Sequence, residues 1–184
     1  MRYFETDTLL CWVPEKKAVQ DTVTTGNGEG KRDSLRDVQM RMAERIINFL
    51  TDAIWPGLEI KPVLDADSIM PTPQPETTQD VIRRWVRGLP PYELAALERG
   101  VLASKSLLVA VRLVVEWSEH FHHLQKHGQA QFGIEDAAEA SSLEVRWQAD
   151  MWGEVEDSHD VNKEDLKRQL GSIVLLVSGE IKQN

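Results

Sequence analysis

The chain has one cysteine, Cys11, in 184 residues. A lone cysteine excludes an internal disulfide and fits a reducing compartment. It sits in "TLLCW", where no neighbouring base or cation would favour the thiolate, so it reads as a small buried hydrophobe. Long apolar runs are also missing. The greasiest stretch, "VLASKSLLVAVRLVV", carries Lys105 and Arg112 and falls short of the roughly 20 apolar residues a membrane span needs. There is no basic excess either. The net charge is −9, and residues 134–165 hold eleven Asp and Glu against Arg146 and Lys163, so that window carries the whole of it. Such a face repels phosphate backbones and anionic headgroups. Nucleic acid is therefore set aside as a partner, and a protein with a basic patch suits the charge.

Catalytic signatures are equally sparse. Ser, His and Asp occur without the strand–turn–helix context of a nucleophile elbow. "TTGNGEGK" lacks the Walker spacing and a preceding strand. The run "HFHHLQKH" sets His120, His123 and His127 at i, i+3 and i+7, a spacing a helix could turn toward a metal. It carries Gly128 and several Gln, and reads better as a solvated polar loop. No cofactor and no metal are expected. The N-terminus "MRYFETDTLLCW" matches neither a signal peptide nor a transit peptide, and it begins as if an upstream part were missing.

What is present is helical. With 41% hydrophobic and 28% charged residues, the chain can build a core, and the length suggests a single helical domain over 1–184. "RYFETDTLLCW" reads as a helix end with Tyr3, Phe4 and Leu10 inward and Pro14 as its stop. Residues 15–33 read as a flexible loop. Ser34 with Asp37 forms a capping box for a helix bearing Val38, Met42, Ile46, Phe49 and Leu50. "LEIKPVL" is the one plausible extended piece, and Pro62 limits it to an edge. Residues 65–76 form a Pro-rich loop. Thr77 would cap "QDVIRRWVRGL", with Gly88 as its close and Pro90 and Pro91 opening the next helix. "YELAALERGVLASKSLLVAVRLVVEW" reads as one long central helix. Its small residues Gly100, Ala103, Ser104 and Ser106 would let neighbours approach. Trp85 and Trp117 are core by default. Residues 118–132 read as a polar loop. The last helix would start near Asn162 with a stripe of Leu166, Leu170, Ile173, Val174, Val177 and Ile181. The expected class is all-α, an orthogonal bundle of five to six helices.

The helix from Ile134 to Trp152 raises the functional question. At about 100° per residue, Ile134, Ala137, Ala138, Ser141, Val145 and Trp152 share one arc. Ala140, Trp147 and Met151 adjoin it, and Glu135, Glu139, Arg146 and Asp150 lie opposite. Glu144 and Gln148 fall between the two apolar arcs, where a carboxylate is costly unless paired. Glu144 could meet an arginine of a neighbouring helix or look out at the domain edge. It could line a half-open groove with the tryptophans as anchors, or it could serve as a catalytic carboxylate. Gly153 would close the helix. Asp157 or Asp160 in "EVEDSHD" would favour the start of the next.

"YFETDTLLC", "SLLVAVRL" and "LEVRWQADMWGEVEDSHD" together resemble the ATP synthase assembly-chaperone family that handles the alpha subunit of the F1 sector in mitochondria and some bacteria. One element matches through Tyr3, Thr6, Asp7, Leu9 or Leu10, and Cys11. The other, more specific, matches through Glu144, Trp147, Gln148, Trp152 and Gly153. The resemblance covers the family's C-terminal helical domain, and the family's N-terminal β-rich domain has no counterpart here. It implies a non-enzymatic, ATP-independent chaperone of the mitochondrial matrix, acting as a monomer. That chaperone would bind the alpha subunit and shield the face the beta subunit later covers. Glu144 would offer a charge-assisted hydrogen bond, Gln148 would orient it, Trp147 and Trp152 would wall it, and the acidic patch around Asp157 would steer encounter. Two readings compete: a helical interaction module with another client, and a carboxylate- or metal-dependent hydrolase.

Overall fold

The computed structural model describes residues 2–14, 33–64, 70–125, 130–153 and 156–179. Among them there are seven α-helices and two 3-10 turns, and no strand. The helices are α1 (Arg2–Glu5), α2 (Leu35–Ala53), α3 (Glu76–Arg87), α4 (Pro91–Ser104), α5 (Leu107–Trp117), α6 (Ile134–Trp152) and α7 (Glu156–Val177). The all-α expectation holds. The loop expected at 15–33 lies outside the described residues except for Asp33, as do 65–69, 126–129 and Ile181.

The core is built around α5. Leu107 to Val111 and Leu113 to Val115 are buried, and α2, α4, α6 and α7 pack against this helix. Apolar residues on every face oblige a helix to be surrounded. From α7 come Leu170, Ile173, Val174 and Val177, and from α2 come Ala43, Ile46 and Leu50. Arg112 is the exception on α5. It pairs with Glu116, and its guanidinium lies between the rings of Phe49 and Phe132, 3.6 and 4.9 Å from their centroids. Trp85 and Trp117 are half-buried against the core. Trp117 Nε1 donates to Phe132 O at 3.0 Å.

Several sequence expectations are corrected. The N-terminal segment is not a single helix end. After the one turn of α1, the chain breaks at Asp7 and tightens into a 3-10 turn over Thr8–Leu10. The expected long central helix is two. Ser104 is the last residue of α4, Lys105 adopts the left-handed conformation at φ 57°, and Ser106 caps α5 by accepting from Val109 N. Helix α3 begins two residues earlier than expected: Pro75 stands at its N-cap, and Thr77 does not cap it. In α7 the helix already runs from Glu156, so the acidic run is its first turns; carboxylates suit the positive end of a helix dipole. In place of an edge strand, the 58–64 segment makes one bridge, Cys11 to Leu64. Gln74 clamps that segment by accepting from Lys61 N at 3.0 Å and donating to Lys61 O at 2.5 Å. Part of the expected 118–132 loop is a 3-10 turn, Glu119–Leu124, with Phe121 buried.

The expected capping box at Ser34 and Asp37 is present. Gly88 closes α3, and Pro91 opens α4. At Gly100 the expected close approach is real: a Cβ there would come within 2.9 Å of Ala110 Cβ and 3.2 Å of Ile173 Cδ1. Ser104 and Ser106 serve the α4–α5 turn instead, since Ser104 Oγ donates to Gly100 O at 2.7 Å and accepts from Ser106 N at 3.2 Å.

Candidate functional site

The start of α6 is fixed by Gly133, whose N–H donates to Asp136 Oδ2 at 2.8 Å. Its end is fixed by Gly153 at φ 93°, whose N–H reaches Ala149 O at 2.8 Å. Such a φ favours glycine. Between them Ala137, Ala138, Ala140 and Ala149 face inward and are buried. Ser141 and Ser142 turn their hydroxyls back onto the carbonyls of Ala137 and Ala138 at 2.7 and 2.8 Å. Small residues and self-satisfied hydroxyls let α6 lie close to its neighbours on both sides.

Glu144 is exposed. Among the described residues its carboxylate accepts one hydrogen bond, from Gln148 Nε2 at 3.2 Å, and forms no ion pair. The internal-arginine alternative is thereby excluded for the described residues. The pairing with Gln148, one turn along the helix, holds the carboxylate in place. Trp147 and Gln148 are half-buried. The side chains of Trp152 and Asp157 lie outside the described residues. One expectation of the helix wheel fails: Val145, placed in the apolar arc, is 50% exposed. The helices α6 and α7 stand apart at its level and leave a groove beside it.

Glu144 opens onto a cleft of about 160 Å³ lined by Thr8, Leu9, Gln39, Met42 and residues 140–145. Its other wall is the 3-10 turn of the N-terminal motif together with Gln39 and Met42 of α2. The fold therefore brings the two motif elements, which are more than 130 residues apart in the sequence, to one cleft. The turn is pinned from three directions. Asp7, fully buried, accepts from Leu9 N at 3.0 Å and from Leu108 N at 3.1 Å. Thr8 Oγ1 donates to Ser104 O at 3.3 Å. Gln39 accepts from Val13 N at 2.9 Å and donates to Cys11 O at 3.3 Å, while Arg36 Nη1 donates to Val13 O at 2.9 Å. Gln39, Met42, Thr8 and Leu9 were not singled out as site residues from sequence. Leu9 belonged to the N-terminal motif and Met42 to the helix stripe, but nothing in either pattern marked them as lining a cleft.

Electrostatics separate the carboxylates. Burial lifts Asp7 from an ordinary 3.8 to about 6, opposed by hydrogen bonds from Ser106 and from the backbone N–H groups of Leu108, Leu9 and Leu107. Asp7 is thus a structural clamp. Cys11 is half-buried, and its Sγ donates to Asp7 O at 3.3 Å. Burial, then the negative charges of Asp7 and Glu144, push its thiol upward, so it stays protonated and unreactive at neutral pH. Thr6 is exposed at the bend before the turn. His120, His122 and His123 are exposed, and His127 lies outside the described residues. No group of three His, Cys, Asp or Glu among the described residues could hold a metal. Nor is any described helix long and apolar enough to cross a membrane.

A helix-only fold, with an accessible carboxylate beside a small cleft, defines a class: an all-α protein with an open cleft on one helix. The particular likeness is to the ATP12 proteins. The chain is 29% identical over 178 residues to mitochondrial protein atp12 of Schizosaccharomyces pombe, covering 96% of this chain and 50% of that protein. To mitochondrial protein ATP12 of Saccharomyces cerevisiae it is 27% identical over 173 residues, covering 92% and 49%. The chain spans about half the length of these curated relatives. Its fold is that of crystalline Atp12 from Paracoccus denitrificans, at a TM-score of 0.63 and 17% identity, covering 97% of this chain and 62% of that one. An Agrobacterium tumefaciens protein described as a candidate chaperone shares it, at a TM-score of 0.61 and 19% identity over 96% and 53%. No family model matches the chain.

Proposed function

We propose that this chain is an assembly chaperone for the F1 sector of ATP synthase. It binds the alpha subunit and covers the face destined for the beta subunit until assembly. It works as a single helical unit and a monomer, in the mitochondrial matrix, by binding and not by catalysis. The observation that carries this reading is the likeness to mitochondrial ATP12 proteins over nearly the whole chain. The structure supports it with a carboxylate left open on a helix, oriented by a neighbouring amide and set on a cleft. An orphan subunit of a ring exposes apolar interface and aggregates, so a reversible cover for that interface has a physical purpose.

Glu144 contributes a charge-assisted hydrogen bond to a client cation, worth about 1.5–3 kcal/mol. Trp147 adds contact area beside it and Gln148 orients it, and the resemblance adds Trp152 and Asp157 to the client-binding set. The experiment is capture of the alpha subunit by the full chain and by Glu144→Lys and Glu144→Gln. Because Glu144 is exposed, both variants keep the native melting temperature within a few degrees. Affinity falls at least about tenfold in Glu144→Lys and less in Glu144→Gln. A wild-type chain that fails to hold the alpha subunit, yet holds another protein, would establish the interaction-module alternative.

A further inference from the structure

A second, larger depression lies on the other flank of α6, between it and α7. Its volume is about 360 Å³. Ala138, Ala149 and Leu166 line it, Val145 stands at its lip, and Asn162 and Lys163 mark the side of α7. Two of its cations are already committed. Arg146 pairs with Glu139 along α6 at 3.2 Å, and Lys167 pairs with Glu135 at 2.9 Å and Glu164 at 3.5 Å. The Lys167–Glu135 pair ties the two walls together at one end. Lys163 is exposed and makes no ion pair with a described residue. Ser141, Ser142 and Val145 line both this groove and the Glu144 cleft. The two depressions therefore adjoin across one ridge of α6 formed by these three residues, with Glu144 on the side of the smaller cleft.

We propose that the α6–α7 groove is a second anchor point for the client, resting on the chaperone reading above. It seats one aliphatic side chain of an amphipathic client segment. That segment presents a cation to Glu144 and an acceptor, a carboxylate or a helix-end carbonyl, to Lys163. The order of charges carries the argument. Read across the ridge, the surface offers an anion at Glu144, an aliphatic lip at Val145 over an alanine floor, and a cation at Lys163. A segment with the matching order docks in one direction, and a reversed segment sets like charges together. The small floor residues leave room for a branched side chain, and burial of Val145 with that side chain removes apolar surface from water. The tie between Lys167 and Glu135 keeps the walls in place before binding, which limits the ordering cost.

The test places the photo-crosslinker benzoylphenylalanine at Asn162, which lines the groove only, and at Arg87 on α3 as a control. Each is made in the full chain and irradiated with the alpha subunit. The expected result is a crosslink to the alpha subunit from position 162 and none from 87. Lys163→Glu is expected to weaken capture roughly tenfold and Lys163→Gln by less. If capture still depends on Glu144 while position 162 gives no crosslink, or none in excess of position 87, the groove is not an anchor and the chaperone reading stands. If the wild-type chain does not capture the alpha subunit, both fall. A crosslink from position 162 to a second copy of this chain in preference to the alpha subunit also overturns the proposal.

Discussion

Two carboxylates, Asp7 and Glu144, show how placement decides role. Asp7 has no solvent contact and accepts from N–H groups of both the 3-10 turn and α5. Its pKa of about 6 stands above the unfolded value near 3.8, so the folded chain holds that proton more tightly than the unfolded one. The associated stability is fully present below pH 3.8 and is lost as pH rises through 6. One unit is worth about 1.4 kcal/mol, so the loss is on the order of 2–3 kcal/mol. Urea unfolding across pH 4–7.5 should show this decline, and Asp7→Asn should flatten it. That variant should also be less stable at pH 5 by about 1–3 kcal/mol, because its amide leaves one buried N–H without an acceptor. Unchanged pH dependence in Asp7→Asn would remove Asp7 as the source. At Arg112 the wager is stability alone. Arg112→Ala strands Glu116, itself only 8% exposed, and should cost about 3–5 kcal/mol; a loss under 1 kcal/mol in denaturant would contradict the buried pair.

The elements divide into those whose cause is local and those whose cause is distant. Helix α2 was legible because Ser34 and Asp37 form its capping box within four residues. Helix α6 was legible between its two glycines. The break between α4 and α5 was not, because "LASKSLL" contains neither Gly nor Pro and suits a continuous helix. The break is stabilised by Asp7, about 100 positions away, which accepts from the first turn of α5, and by hydroxyls of Ser104 and Ser106 that turn inward. Periodicity cannot see such a partner. The helix wheel likewise placed Val145 inside because it has no knowledge of where α7 diverges. Of the site, Glu144 and Gln148 were visible as polar residues in an apolar setting, whereas the wall formed by Thr8, Gln39 and Met42 exists only after folding. Two substitutions test these elements by thermal unfolding. Gly100→Ala drives a methyl toward Ala110 and Ile173 and should destabilise by about 1–3 kcal/mol. Ser106→Ala removes the α5 cap and should cost about 1 kcal/mol. A neutral Gly100→Ala would mean that α4 can move off α5 without penalty.

For the whole molecule, the governing fact is that its net charge resides in residues 134–165, on α6, α7 and their junction. Under the proposed function, long-range attraction toward a basic client has a direction, and the capturing helices are also the ones that steer. Association should slow severalfold as salt rises from about 0.05 to 0.3 M, where the screening length shortens to below 8 Å, while dissociation changes less. Stopped-flow mixing with the alpha subunit reads this directly. A salt-independent association rate would show that the acidic face plays no part in encounter.

The link from Asp7 to Leu108 also sets a timetable. A ribosome releases residues 4–10 about 100 positions ahead of α5, so Phe4 and Leu10 acquire their full surroundings, and Asp7 its second donor, only after α5 has emerged. Until then Phe4, Leu9 and Leu10 have no core to settle into. Contacts so distant along the chain slow folding, so the cleft wall built on that segment should form late.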